Sequence, residues 1–176
     1  GCDNFKLLDT EAYNWLGVIM PGSIIDFEPD YTWNSNLFID NLYGHDALQG
    51  VIVTVNNTDF TMTNSRVVGF QTQIAGDVLV KNCMVSNYLA CKGPGRAQFE
   101  QCTSKGILVM KNTGKVVATN CVFTGDEESK DGPVIQCEGA VPTEENPTLH
   151  DASNAQIECY NCVMYSRAGN DIQTAQ

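Results

Sequence analysis

Gly76–Cys121 reads GDVLVKNCMVSNYLACKGPGRAQFEQCTSKGILVMKNTGKVVATNC. Within it an amide residue followed by cysteine recurs at an even step of nineteen, as Asn82-Cys83, Gln101-Cys102 and Asn120-Cys121. Working outward, Asn64-Ser65 precedes the first pair by nearly the same step, and Asn161-Cys162 follows the last by about two periods and a little more. An earlier pair, Asn41-Leu42, stands somewhat more than one period upstream of Asn64. Gly76, Gly95 and Gly114 keep the same beat. Self-similarity at a short fixed period marks a solenoid, in which each repeat buries its apolar face only against its neighbours.

Each repeat divides into three short strands. Before the amide residue, apolar positions alternate: Leu37/Ile39, Phe60/Met62, Val78/Val80, Ala97/Phe99, Val116/Ala118 and Ile157/Cys159. After it comes a second inward set: Ser65/Val67, Cys83/Val85, Cys102/Ser104, Cys121/Phe123 and Cys162/Met164. Period-two alternation reads as strand with one face in a core. One or two turn residues fit between these strands, and asparagine suits that place because it tolerates a left-handed backbone and its amide bonds locally. Stacked asparagines can also bond one another up a ladder. A third strand follows in Ile52–Thr54, Phe70–Thr72, Leu89–Cys91, Leu108–Met110 and Ile135–Cys137. It ends at glycines such as Gly76, Gly95 and Gly114, expected to supply the positive φ of a sharp corner. The fold expected is an all-β, right-handed single-stranded parallel β-helix of about six coils over residues 37–176. Lined-up amides and thiols are expected along its inner wall.

Residues 1–36 fall outside the period and are read as an N-terminal tether and cap, with Trp15 and Trp33 as packing residues. Asp9 to Leu16 fits a short amphipathic helix, and Val18–Met20 and Ile24–Phe27 fit strands that start the stack. An open solenoid end exposes unpaired edges and needs cover. The eight cysteines are read as free thiols. Cys83, Cys102, Cys121 and Cys162 share one position, and Cys91 and Cys137 share another with Met110 between them. Neighbouring rungs lie about 4.8 Å apart, so the thiols act as small hydrophobes filling a ladder.

The chain has 176 residues, 43% of them hydrophobic and 18% charged, which suits one ordered domain. Ten basic residues against 21 acidic ones give a formal charge of −11. Such a field repels phosphate backbones, so nucleic acid is excluded as a partner, and polyuronates are disfavoured. No apolar run approaches the ~20 residues of a membrane helix. Gly1-Cys2-Asp3 is compatible with the end of a lipoprotein signal in which Cys2 carries the lipid, and equally with an arbitrary cut.

Function is expected where the period breaks, in loops at 124–133 and 140–154. Asp126, Glu144, Glu145 and Asp151 are the candidate acids for general acid–base chemistry. Asp126, Glu128 and Asp131 are the candidate ligands of a Ca²⁺ site, against the plain reading of solvated loops with no cofactor. Tyr88, Tyr160 and Tyr165, with Asp126 and Glu127, are candidates for sugar binding, since rings stack on exposed aromatics while carboxylates read hydroxyls. Tyr31, Tyr43 and Phe70 complete the aromatic set. His45 and His150 read as loop histidines, and Cys159-Tyr160-Asn161-Cys162 as ladder filling, although it has redox spacing.

The Asn-Cys pattern with three short strands per turn resembles the pectate-lyase-like right-handed β-helix superfamily. That group holds pectin-degrading enzymes, bacteriophage tailspikes and surface β-helix proteins, many of them lipoproteins. In the enzymes, catalytic groups sit on one strand face. Here the outward third-strand positions Gln71, Gln73, Ala90, Lys92, Val109 and Lys111 hold no carboxylate cluster, and no catalytic residue carries over. That departure leads to the expectation of a non-catalytic module on a cell or virion surface that binds a polysaccharide or other surface component. The alternatives are a small polysaccharide lyase or glycoside hydrolase, and a structural or assembly piece of a phage tail, as a homotrimer or beside a C-terminal neighbour domain.

Overall fold

The computed structural model describes residues 4–14, 18–19, 35–46, 51–55, 59–73, 76–92, 95–109, 114–125, 134–137, 155–165 and 172–174. These form strands and no helix. In chain order they are β1 (Lys6–Tyr13) and β2 (Val18–Ile19), then β3 (Leu37–His45) and β4 (Val51–Val55). Triplets follow: β5 (Asp59–Thr63), β6 (Arg66–Val67) and β7 (Gly69–Gln73), then β8 (Asp77–Lys81), β9 (Met84–Val85) and β10 (Leu89–Lys92). Next come β11 (Arg96–Glu100), β12 (Thr103–Ser104) and β13 (Ile107–Val109), with β14 (Lys115–Thr119), β15 (Val122–Phe123) and β16 (Ile135–Cys137). The last triplet is β17 (Gln156–Tyr160), β18 (Val163–Met164) and β19 (Ile172–Thr174).

Among the described residues all strand pairings are parallel. One curled sheet of twelve strands runs β17-β14-β11-β8-β5-β3-β6-β9-β12-β15-β18, with β1 paired to β3. A seven-stranded sheet runs β19-β16-β13-β10-β7-β4-β2. The curl has a simple origin. In β1 and β3 the first and second strands of the repeat are one continuous strand, and from β5 onward each breaks in two at the amide residue. β3 therefore pairs with β5 through its first half and with β6 through its second.

The break is a left-handed corner. Asn64, Asn82, Gln101, Asn120 and Asn161 have φ of 52°, 53°, 53°, 56° and 52°. Asp9 and Asn41, at the middle of β1 and β3, share this conformation with φ of 48° and 53°. For an ordinary L-residue it costs about 1–2 kcal/mol, and asparagine lowers that cost. At the corners from Asn64 to Asn120 the N–H donates forward, as Asn82 N–H does to Glu100 O at 2.9 Å, and two residues later the chain donates backward, as Met84 N–H does to Ser65 O at 2.9 Å. This reversal joins two ladders at an angle, and the N–H between them turns to a side chain, as Leu42 N–H donates to Ser65 Oγ of the next rung at 3.1 Å.

Register follows the sequence pattern along the first strand. Leu37, Phe60, Val78, Ala97, Val116 and Ile157 are stacked neighbours, as are Ile39, Met62, Val80, Phe99, Ala118 and Cys159. Most of these side chains are wholly buried, and Phe70 from the other sheet meets Phe60 at 5.8 Å and Phe99 edge-on at 6.5 Å. The thiol column of Cys83, Cys102, Cys121 and Cys162 also holds, and neither these nor Cys91 and Cys159 are joined in disulfides. Each corner thiol donates to the carbonyl two residues back, from Cys83 Sγ to Lys81 O at 3.2 Å through Cys162 Sγ to Tyr160 O at 3.4 Å. Ser65 Oγ does the same to Thr63 O at 2.7 Å.

Five expectations are corrected. The amides do not share the inner wall with the thiols: the corner side chains are exposed, because a left-handed residue between two inward neighbours turns its own side chain to solvent. Asp9 to Tyr13 is strand and not helix, since the alternation in Lys6–Tyr13 matches β3 residue for residue. The stack thus begins upstream of residue 37, at Lys6. Gly76, Gly95 and Gly114 carry no positive φ; their carbonyls accept from Arg96, Lys115 and Gln156 at the strand starts. Val109, not Met110, lies between Cys91 and Cys137. Accordingly Val109 is inward and wholly buried, while Leu108 takes the outer row beside Ala90. The slip arises because the path from Cys102 to Ile107 is one residue shorter than that from Cys83 to Leu89, and a one-residue change exchanges the faces. Gly106 makes the tighter path feasible: a Cβ there would lie 2.0 Å from the Val134 carbonyl oxygen, the acceptor for Ile107 N–H at 2.9 Å.

Trp15, Trp33, Ile24–Phe27 and most of both late loops lie outside the described residues.

Two measurements check this architecture. In urea denaturation, Asn82→Ala loses about 1–2 kcal/mol more stability than Asn82→Gly, because glycine keeps the corner and both lose the amide. In native-state maleimide labelling read by mass spectrometry, half-buried Cys159 and Cys162 react before Cys83 and Cys91. Burial pushes Cys83 and Cys159 alike up to about 11 and Cys91 to about 12, so access of the reagent, and not thiolate supply, sets this order.

Candidate functional site

The corner places exposed polar side chains from successive rungs side by side. Asn41 Nδ2 donates to Asp9 Oδ1 at 2.8 Å, Asn64 Nδ2 to Asp40 Oδ1 at 2.8 Å, and Asn82 Nδ2 to Asn64 Oδ1 at 2.8 Å. Thr63 Oγ1 adds a 2.6 Å bond to Asp40. That hydroxyl first, then the Asn64 amide, holds the Asp40 carboxyl below its ordinary value. The adjoining row is set by register as Leu8, Asp40, Thr63, Lys81, Glu100, Thr119 and Tyr160. Lys81 Nζ lies 3.1 Å from Glu100. Phe38, Asp40, Thr63, Asn64, Lys81, Asn82 and Gln101 line an open groove of ≈ 670 Å³. Its wall alternates carboxylate, hydroxyl, amide and ammonium at rung spacing, a set that donates and accepts hydrogen bonds with little net charge.

A second cluster forms where β1 lies against the end of β3. Register places Glu11 beside Tyr43 and Tyr13 beside His45. The His45 ring stacks on Tyr43 at 4.4 Å and on Tyr13 at 5.6 Å. Its Nδ1 is 2.7 Å from Asp46 Oδ2 and its Nε2 3.0 Å from Glu11 Oε1. Arg66 sits over the Tyr43 ring at 5.7 Å. The hydrogen bond to Asp46, then that to Glu11, raises the His45 pKa above the ordinary 6.5. Both carboxylate partners favour the protonated, charged form of the ring.

Of the predicted sugar-binding residues, Tyr160 and Tyr165 are exposed at 53% and 57% and flank the Asn161 corner. The Tyr160 hydroxyl donates to Glu158 Oε2 at 3.1 Å, and Lys115 Nζ pairs with Glu158 Oε1 at 2.7 Å. Lys115, then the Tyr160 hydroxyl, holds the Glu158 carboxyl down. Tyr88 stands apart, half-buried, with a ring edge 3.1 Å from where a Gly106 Cβ would stand. Phe70 is wholly buried and offers no face to a sugar, because it fills the core between the two sheets. Asp126, Glu127, Glu128, Asp131, Glu144, Glu145, His150, Asp151 and Tyr31 lie outside the described residues. Among the described residues no three His, Cys, Asp or Glu side chains are grouped to hold a metal ion, and no helix is long and apolar enough to cross a membrane.

The Tyr13–His45–Tyr43 stack was missed by the sequence reading, yet a signal exists. Asn4, Asp9 and Asn14 are evenly spaced, and Asn36, Asn41 and Asp46 repeat that spacing further along the chain. All six have positive φ, and the constant offset between the two sets alone places Glu11 and Tyr13 beside Tyr43 and His45. The chain matches no family model, no curated protein and no solved structure.

The His45 cluster has a pH signature. NMR titration of its ring protons should give a midpoint above 6.5, lowered most by Asp46→Asn and less by Glu11→Gln. Because the folded pKa is the raised one, the stability from this pair is full below 6.5 and is lost as pH climbs through the folded midpoint.

Proposed function

We propose that the chain is a non-catalytic, surface-exposed module that binds a neutral polysaccharide or cell-surface glycan along the corner groove. Its scaffold in this reading is a right-handed parallel β-helix of the pectate-lyase-like kind, with about six coils downstream of residue 37. The observation that carries the proposal is the groove lined by Asp40, Thr63, Asn64, Lys81, Asn82 and Gln101, with Phe38 at one side. Amides and hydroxyls repeated at rung spacing offer a linear, hydroxyl-bearing chain one set of hydrogen bonds per rung. Tyr160 extends the row with an exposed ring. The formal charge of −11 favours neutral over anionic sugars.

A glycan array followed by calorimetry tests this. Wild type should bind a neutral polysaccharide, and Lys81→Ala and Tyr160→Ala should each weaken binding about tenfold, the equivalent of ~1.4 kcal/mol, with unchanged circular dichroism. Silence across the array would remove the proposal. Release of reducing ends from the bound polysaccharide would replace it with the lyase or hydrolase reading.

A further inference from the structure

The face beside the corner groove carries a second pattern, which repeats every second rung. One outward row passes from Phe38 through Thr61, Leu79 and Gln98 to Val117. These side chains are half-buried, and apolar and polar ones alternate from each rung to the next. Parallel to it runs the polar row of Asp40, Thr63, Lys81, Glu100 and Thr119, with the corner amides beyond. Both rows follow the stack and cross each strand once, at a spacing of about 4.8 Å. We propose that the groove takes one class of neutral glycan, an extended β-1,4-linked chain laid along the stack with one sugar per rung. This rests on the glycan-binding reading above and names its ligand.

An extended β-1,4-linked chain is a flat ribbon that advances by close to one rung spacing with each sugar. Successive sugars are turned over, so each side of the ribbon repeats only every second sugar. That is the repeat of the row in which Phe38, Leu79 and Val117 alternate with Thr61 and Gln98. An α-1,4-linked chain coils instead and leaves a straight row after a few sugars. The corner amides also divide along the stack. Those of Asn41, Asn64 and Asn82 already donate to Asp9, Asp40 and Asn64. Among the described residues the side-chain amides of Gln101 and Asn120 make no hydrogen bond. Gln101 is longer than asparagine by one methylene and lines the groove, where its amide offers a donor and an acceptor to sugar hydroxyls. Asn120 offers the same pair one rung on. Charge agrees with a neutral ligand: Lys81 is paired with Glu100, and Asp40 accepts from Thr63 and Asn64.

Calorimetric titration with cellohexaose and maltohexaose, alike in sugar and length and different in linkage, tests the proposal. Cellohexaose should bind about tenfold tighter, and affinity should rise with each sugar added from cellobiose upward until the groove is filled. Gln101→Gly keeps the left-handed corner and loses the amide, while Val117→Thr keeps the side-chain shape and breaks the alternation. Each variant, confirmed as folded by circular dichroism, should weaken cellohexaose binding about fivefold. Equal or tighter binding of maltohexaose, an affinity indifferent to chain length, or variants that bind as wild type would overturn the proposal and leave the glycan-binding reading standing. Binding of other glycans with silence toward cellohexaose would do the same. Silence toward every glycan would remove both.

Discussion

The structure depends on a backbone conformation that most side chains avoid. A residue at φ near +53° in every rung from Asn41 to Asn161 turns the chain, reverses the direction of its N–H bonds, and sets the angle between two ladders of one sheet. From Asn64 onward the small residue after it is the complement, whereas after Asn41 the buried Leu42 fills that place. Ser65 and the four corner cysteines each donate a hydrogen bond to the carbonyl two residues back, which the turn brings within reach of a short side chain. A longer residue at that place would fill the interior and lose this bond. Corner and column are therefore one device, with the amide outside and the thiol inside.

Much of this was legible in the sequence, and unevenly. The first-strand register was readable at all six rungs because Leu37, Phe60, Val78, Ala97, Val116 and Ile157 keep a fixed distance to the amide corner. The third strand was less readable, since its distance from the corner changes between rungs. At Ile107 the turn is one residue shorter, and the apolar run Ile107-Leu108-Val109 offers no alternation to reveal which face is inward. The first rung was hidden for another reason. The step from Lys6 to its partner Phe38 is much longer than the common period, so a search tuned to that period passes over it, and Asp9–Tyr13 then reads as an amphipathic turn.

The candidate site was the least legible part. Composition named tyrosines and acidic loops, but the groove is built from residues that carry no catalytic signature singly. Asp40, Thr63, Lys81 and Gln101 gain meaning only from being stacked, and stacking is a property of register. The same holds for His45, a plain loop histidine by sequence, which two tyrosines and two carboxylates surround once β1 is laid against β3.

The rung-by-rung register also fixes how the molecule would yield to tension. Each rung in the middle of the stack touches the ones a single period before and after it, and among the described residues no strand braces rungs far apart. A pull on the two termini would unspool the thread from its ends, one loop at a time. Each such loop would release about 65 Å of contour at ~3.5 Å per residue, a sawtooth of even teeth in the middle of the stack and longer ones where Phe123 and Ile135 are separated by the late insertion.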